Sequence, residues 1–169
     1  MQQLAQQVDC DVALVTLSGN HVLTIHYESR GAQMRASYGR GRRMPTFKGA
    51  MSLAVLSTLT KPQLRKLVQA SSDEVAPAQP EDTLETLVQT LKTVRKQGYA
   101  TSQGALDPDN AGIAIPLEIP EHDIAAGLGL VMSVERFRLL ETSRAAEWLQ
   151  QCRKQICHHM QYPSAQYAI

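Results

Sequence analysis

Strand signals come in two groups in this chain, with amphipathic helical segments between the groups and one more helix after the second. The order is three strands, three helices, three strands and a helix. It lacks the strand–helix alternation that a parallel sheet needs for its crossovers. The pattern predicts an α+β domain with a mainly antiparallel sheet covered by helices.

The first group opens with Val12-Ala13-Leu14-Val15-Thr16-Leu17, a short β-branched run suited to a buried strand. Ser18-Gly19-Asn20 supplies turn chemistry, and residues 22–28 alternate, with Leu23, Ile25 and Tyr27 on one face. A second turn at Arg30-Gly31 leads to a third strand over residues 33–38, where Met34, Ala36 and Tyr38 share a face. A small-residue helix is expected over residues 46–57, with Ala50, Leu53, Ala54 and Ser57 at helical spacing. Thr60-Lys61-Pro62-Gln63 has the form of a capping box with proline in the first turn, ahead of Leu64, Leu67 and Val68. Residues 71–80 are polar and read as a connector. Asp82-Thr83-Leu84-Glu85 forms a second box, behind which Leu84, Leu87, Val88, Leu91 and Val94 make an apolar stripe that stops at Gly98.

Strands are expected again over residues 99–103, 112–117 and 124–132, separated by Asp107-Pro108-Asp109-Asn110 and Pro120-Glu121-His122-Asp123. A final helix over residues 137–160 places Ala145, Leu149, Cys152, Ile156 and Met160 on one side.

At 169 residues the chain suits one domain with a real core. Seventeen basic residues against 16 acidic ones leave a net charge of +1, which argues against nucleic-acid binding by net field. Arg40, Arg42 and Arg43 form the densest basic run, and a solvated turn is its commoner meaning over a phosphate site. Three cysteines without paired spacing, and no signal-peptide pattern, lead to the expectation of a reducing, cytoplasmic location. No apolar run approaches membrane-spanning length.

Enzyme templates are absent from the sequence. Gly39 and Gly41 are not followed by the third glycine of a phosphate-cradling loop, and neither G-x-S-x-G nor H-E-x-x-H occurs. Cys152, Cys157, His158 and His159 form the densest set of metal-ligand types. On a helix the two cysteines are about 500° apart, a divergence of roughly 140°, so they do not converge on one ion. Cys152 instead fits the apolar stripe. The expectation is a protein with no catalytic residue, metal or cofactor.

The strand over residues 124–132 carries Ala125, Gly127, Gly129 and Val131 on one face. Two glycines there leave space that something else must fill. A helix lying close against the sheet would fill it, and so would a ligand in a pocket between sheet and helix. The sequence leaves both open.

Three blocks bear a resemblance to a known family. They are Arg40-Gly41-Arg42-Arg43-Met44-Pro45 before the small-residue helix, Val94-Arg95-Lys96-Gln97-Gly98-Tyr99-Ala100, and Ala114-Ile115-Pro116-Leu117 after an acidic loop. In this order and spacing they resemble the effector-binding domain of IclR-type bacterial transcriptional regulators. The resemblance runs from about Leu4 to the final helix. It implies a GAF-like fold, a small-molecule effector, self-association as dimer or tetramer, and DNA contact only through an N-terminal winged helix-turn-helix domain not contained in this chain. Residues 1–169 are then the effector-binding and oligomerisation domain.

Members of that family often carry aspartate, cysteine, serine and serine at the positions matching Ser102, Gly112, Gly129 and Val131, and glycine where Ser52 stands. At three of these four positions the chain replaces a polar group by space or apolar surface, which disfavours a two- or three-carbon acid. Pro45-Thr46-Phe47-Lys48-Gly49-Ala50, Ile113-Ala114-Ile115-Pro116-Leu117 and Leu128-Gly129-Leu130-Val131-Met132 look closer to the branch that regulates catabolism of aromatic acids such as hydroxyphenylpropionates. The implied effector is an aromatic acid.

The candidate effector-binding residues are Met34, Ala36, Phe47, Lys48, Ala50, Met51, Ser102, Leu106, Asn110, Gly112, Gly129 and Val131. Lys48 is offered as the cation for the carboxylate, although an exposed helix-start lysine is the commoner fate of that residue. If Gly129 borders open space, Gly129→Leu should block a ligand without unfolding the domain. Two rival functions are a GAF-like thiol redox enzyme and a dimerisation module with no ligand.

Overall fold

The computed structural model describes residues 1–30, 38–71 and 80–161. A short helix α1 (Gln2–Val8) leads through Asp9, in the left-handed conformation at φ 49, into β1 (Asp11–Ser18) and β2 (His21–Glu28). Their hairpin has Gly19 at φ 62 in the first loop position, a conformation that matches the strands' twist and favours glycine. A two-residue strand β3 (Arg43–Met44) precedes three helices: α2 (Ala50–Leu56), α3 (Lys61–Ala70) and α4 (Pro80–Gln97). Then come β4 (Ala100–Gln103), β5 (Asn110–Ile119), a 3-10 turn (Pro120–His122), β6 (Ile124–Ser133), α5 (Val134–Arg138) and α6 (Thr142–Gln161).

The strands form one sheet in the order β3-β2-β1-β6-β5-β4, with every neighbouring pair antiparallel. This is the expected α+β architecture. Its two faces differ sharply. On one, Val12, Leu128, Leu130, Ile113 and Ile115 pack against α1, α5 and α6, with Leu149 and Cys152 buried from α6. On the other, Ala13, Gly129, Ala114 and Ala100 stand side by side across four strands, and none has a side chain larger than a methyl. That low face receives α2, and the Leu64, Leu67, Leu84, Leu87 and Leu91 cluster of α3 and α4 lies outside it with Leu56.

Several boundaries differ from expectation. The expected third strand falls mostly outside the described residues, while Tyr38, its last residue, lies outside any strand. The third strand of this hairpin region is Arg43–Met44, which pairs with Val22 and Leu23 and is too short to show alternation. The helix expected from Thr46 begins at Ala50, because Gly49 at φ 90 breaks the helical path. Asp82 does not start α4, which already runs from Pro80. The long final helix is two helices: β6 passes directly into α5, whose first turn is capped by Ser133 Oγ accepting from the Arg136 N–H at 3.3 Å. No sequence signal pointed to α1, whose seven residues hold only three apolar ones.

The Thr60 box is formed. The Thr60 N–H and hydroxyl donate to Gln63 Oε1 at 2.7 and 2.8 Å. Thr60→Ala should therefore lower stability by about 1 kcal/mol in urea unfolding. A change under about 0.3 kcal/mol would show that tertiary packing alone holds the start of α3.

Candidate functional site

Helix α2 is too short to be stable alone, and its position is set by side chains from elsewhere. At its start Gly49 offers no capping group, and Ser102 Oγ from β4 accepts from the Ala50 N–H at 2.9 Å. Ser52 Oγ donates to Pro45 O at 2.6 Å and ties the first turn to the segment before it. Just past its end, Arg95 from α4 donates to Ser57 O and Leu59 O at 2.8 and 2.7 Å. In between, the Met51 carbonyl oxygen comes within 2.7 Å of where a Cβ on Gly127 would stand. Gly127 therefore serves close helix–sheet contact.

Between the first turn of α2, the β4–β5 loop and the row Val131–Gly112–Ser102 lies a cavity of about 20 Å³. Its walls comprise Lys48, Gly49, Ala50, Met51 and Ser52 from the start of α2, Ser102, Ala105 and Leu106 from β4 and its loop, and Gly112 and Val131 from the sheet. Tyr38, Met44 and Pro45 complete it. The interior is mainly apolar. Lys48 is exposed and, among the described lining residues, is the only cation.

Of the sequence-predicted residues, Lys48, Ala50, Met51, Ser102, Leu106, Gly112 and Val131 meet at this cavity. Phe47 does not; it packs toward the α3–α4 cluster. Asn110 organises the neighbouring loop instead, with its side-chain amide donating to Asp107 Oδ2 at 2.9 Å and its carbonyl accepting from the Gly104 N–H at 2.8 Å. Met34 and Ala36 lie outside the described residues. Gly129 is next to the cavity but is not open to it. A Cβ there would stand 2.6 Å from Ile113 O and 2.7 Å from both Sδ and Cε of Met51. The expectation that Gly129→Leu would be tolerated is therefore corrected, since even a methyl collides with the backbone of β5.

Tyr38, Met44, Pro45, Gly49, Ser52 and Ala105 also line it and were not among the predicted residues, although Tyr38 shares the spacing of Met34 and Ala36, and Met44 and Pro45 belong to a family-like block. Pro45, Gly49 and Ala105 lie in loops, whereas Met44 is on β3 and Ser52 on α2. Across Val131 lies an open depression of about 260 Å³ that includes Asp9, Asp11, Arg30 and Arg136. There the buried Asp11 carboxylate accepts from Tyr27 OH at 2.6 Å and from the Arg30 N–H at 2.8 Å, so it is part of the internal bonding of the sheet end. The three cysteines belong to the opposite face: Cys10 and Cys152 are buried in the α6-side core and Cys157 packs against it. None lines the cavity.

The cavity therefore lies beneath a short, externally clamped helix on the low face of an antiparallel sheet. The profile described as "Bacterial transcriptional regulator IclR C-terminal" matches residues 1–158, and the chain belongs to that family. It is 25% identical over 137 residues to the HTH-type transcriptional regulator KipR of Bacillus subtilis (strain 168), covering 81% of this chain and 55% of that protein.

Among solved structures, an IclR transcriptional regulator from Alicyclobacillus acidocaldarius superposes with a TM-score of 0.73 at 21% identity, over 93% of this chain and 63% of that one. An IclR homologue from Microbacterium hydrocarbonoxydans complexed with 4-hydroxybenzoate gives 0.77 at 20% identity, over 95% and 65%. At these identities the structural likeness concerns the fold. The chain thus spans little more than half the length of KipR. These proteins are named as transcriptional regulators, not enzymes. No helix among the described residues is long and apolar enough to cross a membrane.

Proposed function

We propose that this chain is the effector-sensing part of a ligand-gated transcriptional regulator, and that its effector is an aromatic acid. The observation that carries this is the cavity at the start of α2, mainly apolar within and lined also by Lys48 and Ser102. An aromatic ring suits the apolar interior, and a carboxylate suits Lys48. The Ser102 oxygen accepts from the Ala50 N–H, so its own proton can be given to a ligand oxygen. Two- and three-carbon acids gain little from such walls.

The whole regulator would contact DNA through a winged helix-turn-helix domain preceding this one, self-associate through copies of this domain, and work in the cytoplasm. Effector binding would shift its equilibrium between states of different DNA affinity. A thiol enzyme is disfavoured by the placement of the cysteines. A self-association module with a closed cavity is favoured by the small volume, about 20 Å³. Thermal stabilisation separates the two, because a ligand that binds only the folded state raises the melting temperature.

The test is calorimetry with 4-hydroxybenzoate and related aromatic acids against pyruvate. Saturable binding of an aromatic acid, at least about tenfold tighter than pyruvate, is expected (about 1.4 kcal/mol). Lys48 is exposed and its charge is partly screened, so Lys48→Ala should weaken that binding by about 0.5–1 kcal/mol. Equal or absent binding of every acid would refute the effector assignment.

A further inference from the structure

A cavity of about 20 Å³ has space for roughly one water, whereas an apolar cavity that takes benzene measures about 150 Å³. If a ring enters, some wall must move. The floor cannot, because β5 and β6 are interior strands of the sheet, hydrogen-bonded on both sides. Helix α2 is seated on Gly127 with no gap, and is clamped by Ser102 at one end and Arg95 at the other. Tyr38, Pro45, Leu106 and Val131 have rigid or branched side chains, Gly49, Ala50, Ala105 and Gly112 have at most a methyl, and Ser52 and Ser102 are held by hydrogen bonds.

Met51 is different. Its thioether occupies the volume that Gly129 leaves empty, with Sδ and Cε each 2.7 Å from the position of the absent Cβ. It is buried at 3% exposure and also lines the cavity. An unbranched thioether with three rotatable bonds repacks at little torsional cost and makes favourable contacts with aromatic ring edges.

We propose that Met51 is the retractable wall of the effector cavity: ligand entry swings its thioether off Gly129, and the sulfur then lies against the ligand ring and limits its size. This rests on the cavity being the effector site. The closed rotamer makes the empty protein compact. It also lowers apparent affinity by the fraction of molecules that are open.

The experiment uses this chain with ¹³C-labelled methionine methyls, titrated with 4-hydroxybenzoate and, separately, with benzene as an apolar probe. In the wild type, 4-hydroxybenzoate should shift the Met51 methyl resonance in step with binding. Met51→Ala should bind 4-hydroxybenzoate about tenfold or more tightly, because it has no closed state to leave, and should take up benzene that the wild type excludes. Met51→Ile, similar in bulk but stiff at its branched Cβ, should bind 4-hydroxybenzoate about tenfold or more weakly.

Binding of 4-hydroxybenzoate with a stationary Met51 methyl would overturn the proposal and leave the effector assignment intact. So would a folded Met51→Ala that gains neither ligand, the behaviour of a methionine that only fills a core. If Met51→Ala does not fold, the wild-type titration and Met51→Ile decide. If no aromatic acid perturbs the wild type or any variant while benzene still enters Met51→Ala, the effector assignment fails, and this proposal fails with it.

Discussion

Gly127→Val is expected to lower the stability of the domain by about 3 kcal/mol or more. A Cβ at this position would come within 2.7 Å of the Met51 carbonyl oxygen, 3.1 Å of Val55 Cγ2 and 3.2 Å of Val15 Cγ2. The nearest of these is backbone, so no rotamer change relieves it. The helix must lift off the sheet, and lifting it breaks the Ser102 and Arg95 clamps that hold its ends. The size of the effect follows from these coupled losses more than from the added methyls. Urea unfolding measures it, with Thr101→Val on the exposed edge strand as a control expected within about 0.5 kcal/mol. A cost at Gly127 as small as that of the control would mean that α2 is not seated on β6 as described. The same substitution should also reduce binding at the proposed effector site, because the cavity exists only where the first turn of α2 faces Gly112 and Val131.

Leu91→Ala should be the costliest truncation in α4, at about 3–5 kcal/mol. Leu91 has 0% exposure and joins Leu56, Leu64 and Leu87 in the cluster that backs α2. With α2 on one side and α3 beside it, the surrounding groups have little freedom to collapse into the void. Val88, three residues earlier, is only partly buried, and Val88→Ala should cost about 1 kcal/mol. Thermal and urea unfolding of both variants check the ranking. Equal costs would place the two side chains in equivalent environments and contradict the packing of α4.

These two α4 residues also show how far a pattern reaches. The stripe Leu84, Leu87, Val88, Leu91 and Val94 announces a helix and the face it buries, because 3.6-residue periodicity is a local property. It does not say which member of the stripe is central, because that depends on α2 and α3, which arrive from elsewhere. In the same way, alternation and turn residues marked β1, β2, β5 and β6, and glycine at φ 82 marked the stop of α4. The elements without such signals were too short to carry a period: seven residues in α1, two in β3 and five in α5.

The candidate site divides along the same line. Most residues legible in sequence were on regular elements: Ala50 and Met51 at a helix start with Lys48 just before it, Gly112 and Val131 on alternating strands, Ser102 on the edge; Leu106, in the β4–β5 loop, is the exception. Pro45 and Ala105 arrive by loop paths that no periodicity describes, and Met44 by a strand too short to show one. Asn110 carried a plausible polar group, but its amide is committed to Asp107. For the glycines of β6 the sequence established only a missing volume on one face. Whether a helix or a ligand took that volume depended on a distance between segments some 75 residues apart, by roughly the count from Met51 to Gly127 and Gly129. Local chemistry therefore determined the strands, the helices and the faces they bury. Only the tertiary structure decided that the helix takes the space, because close approach is a property of two surfaces and neither one encodes it alone.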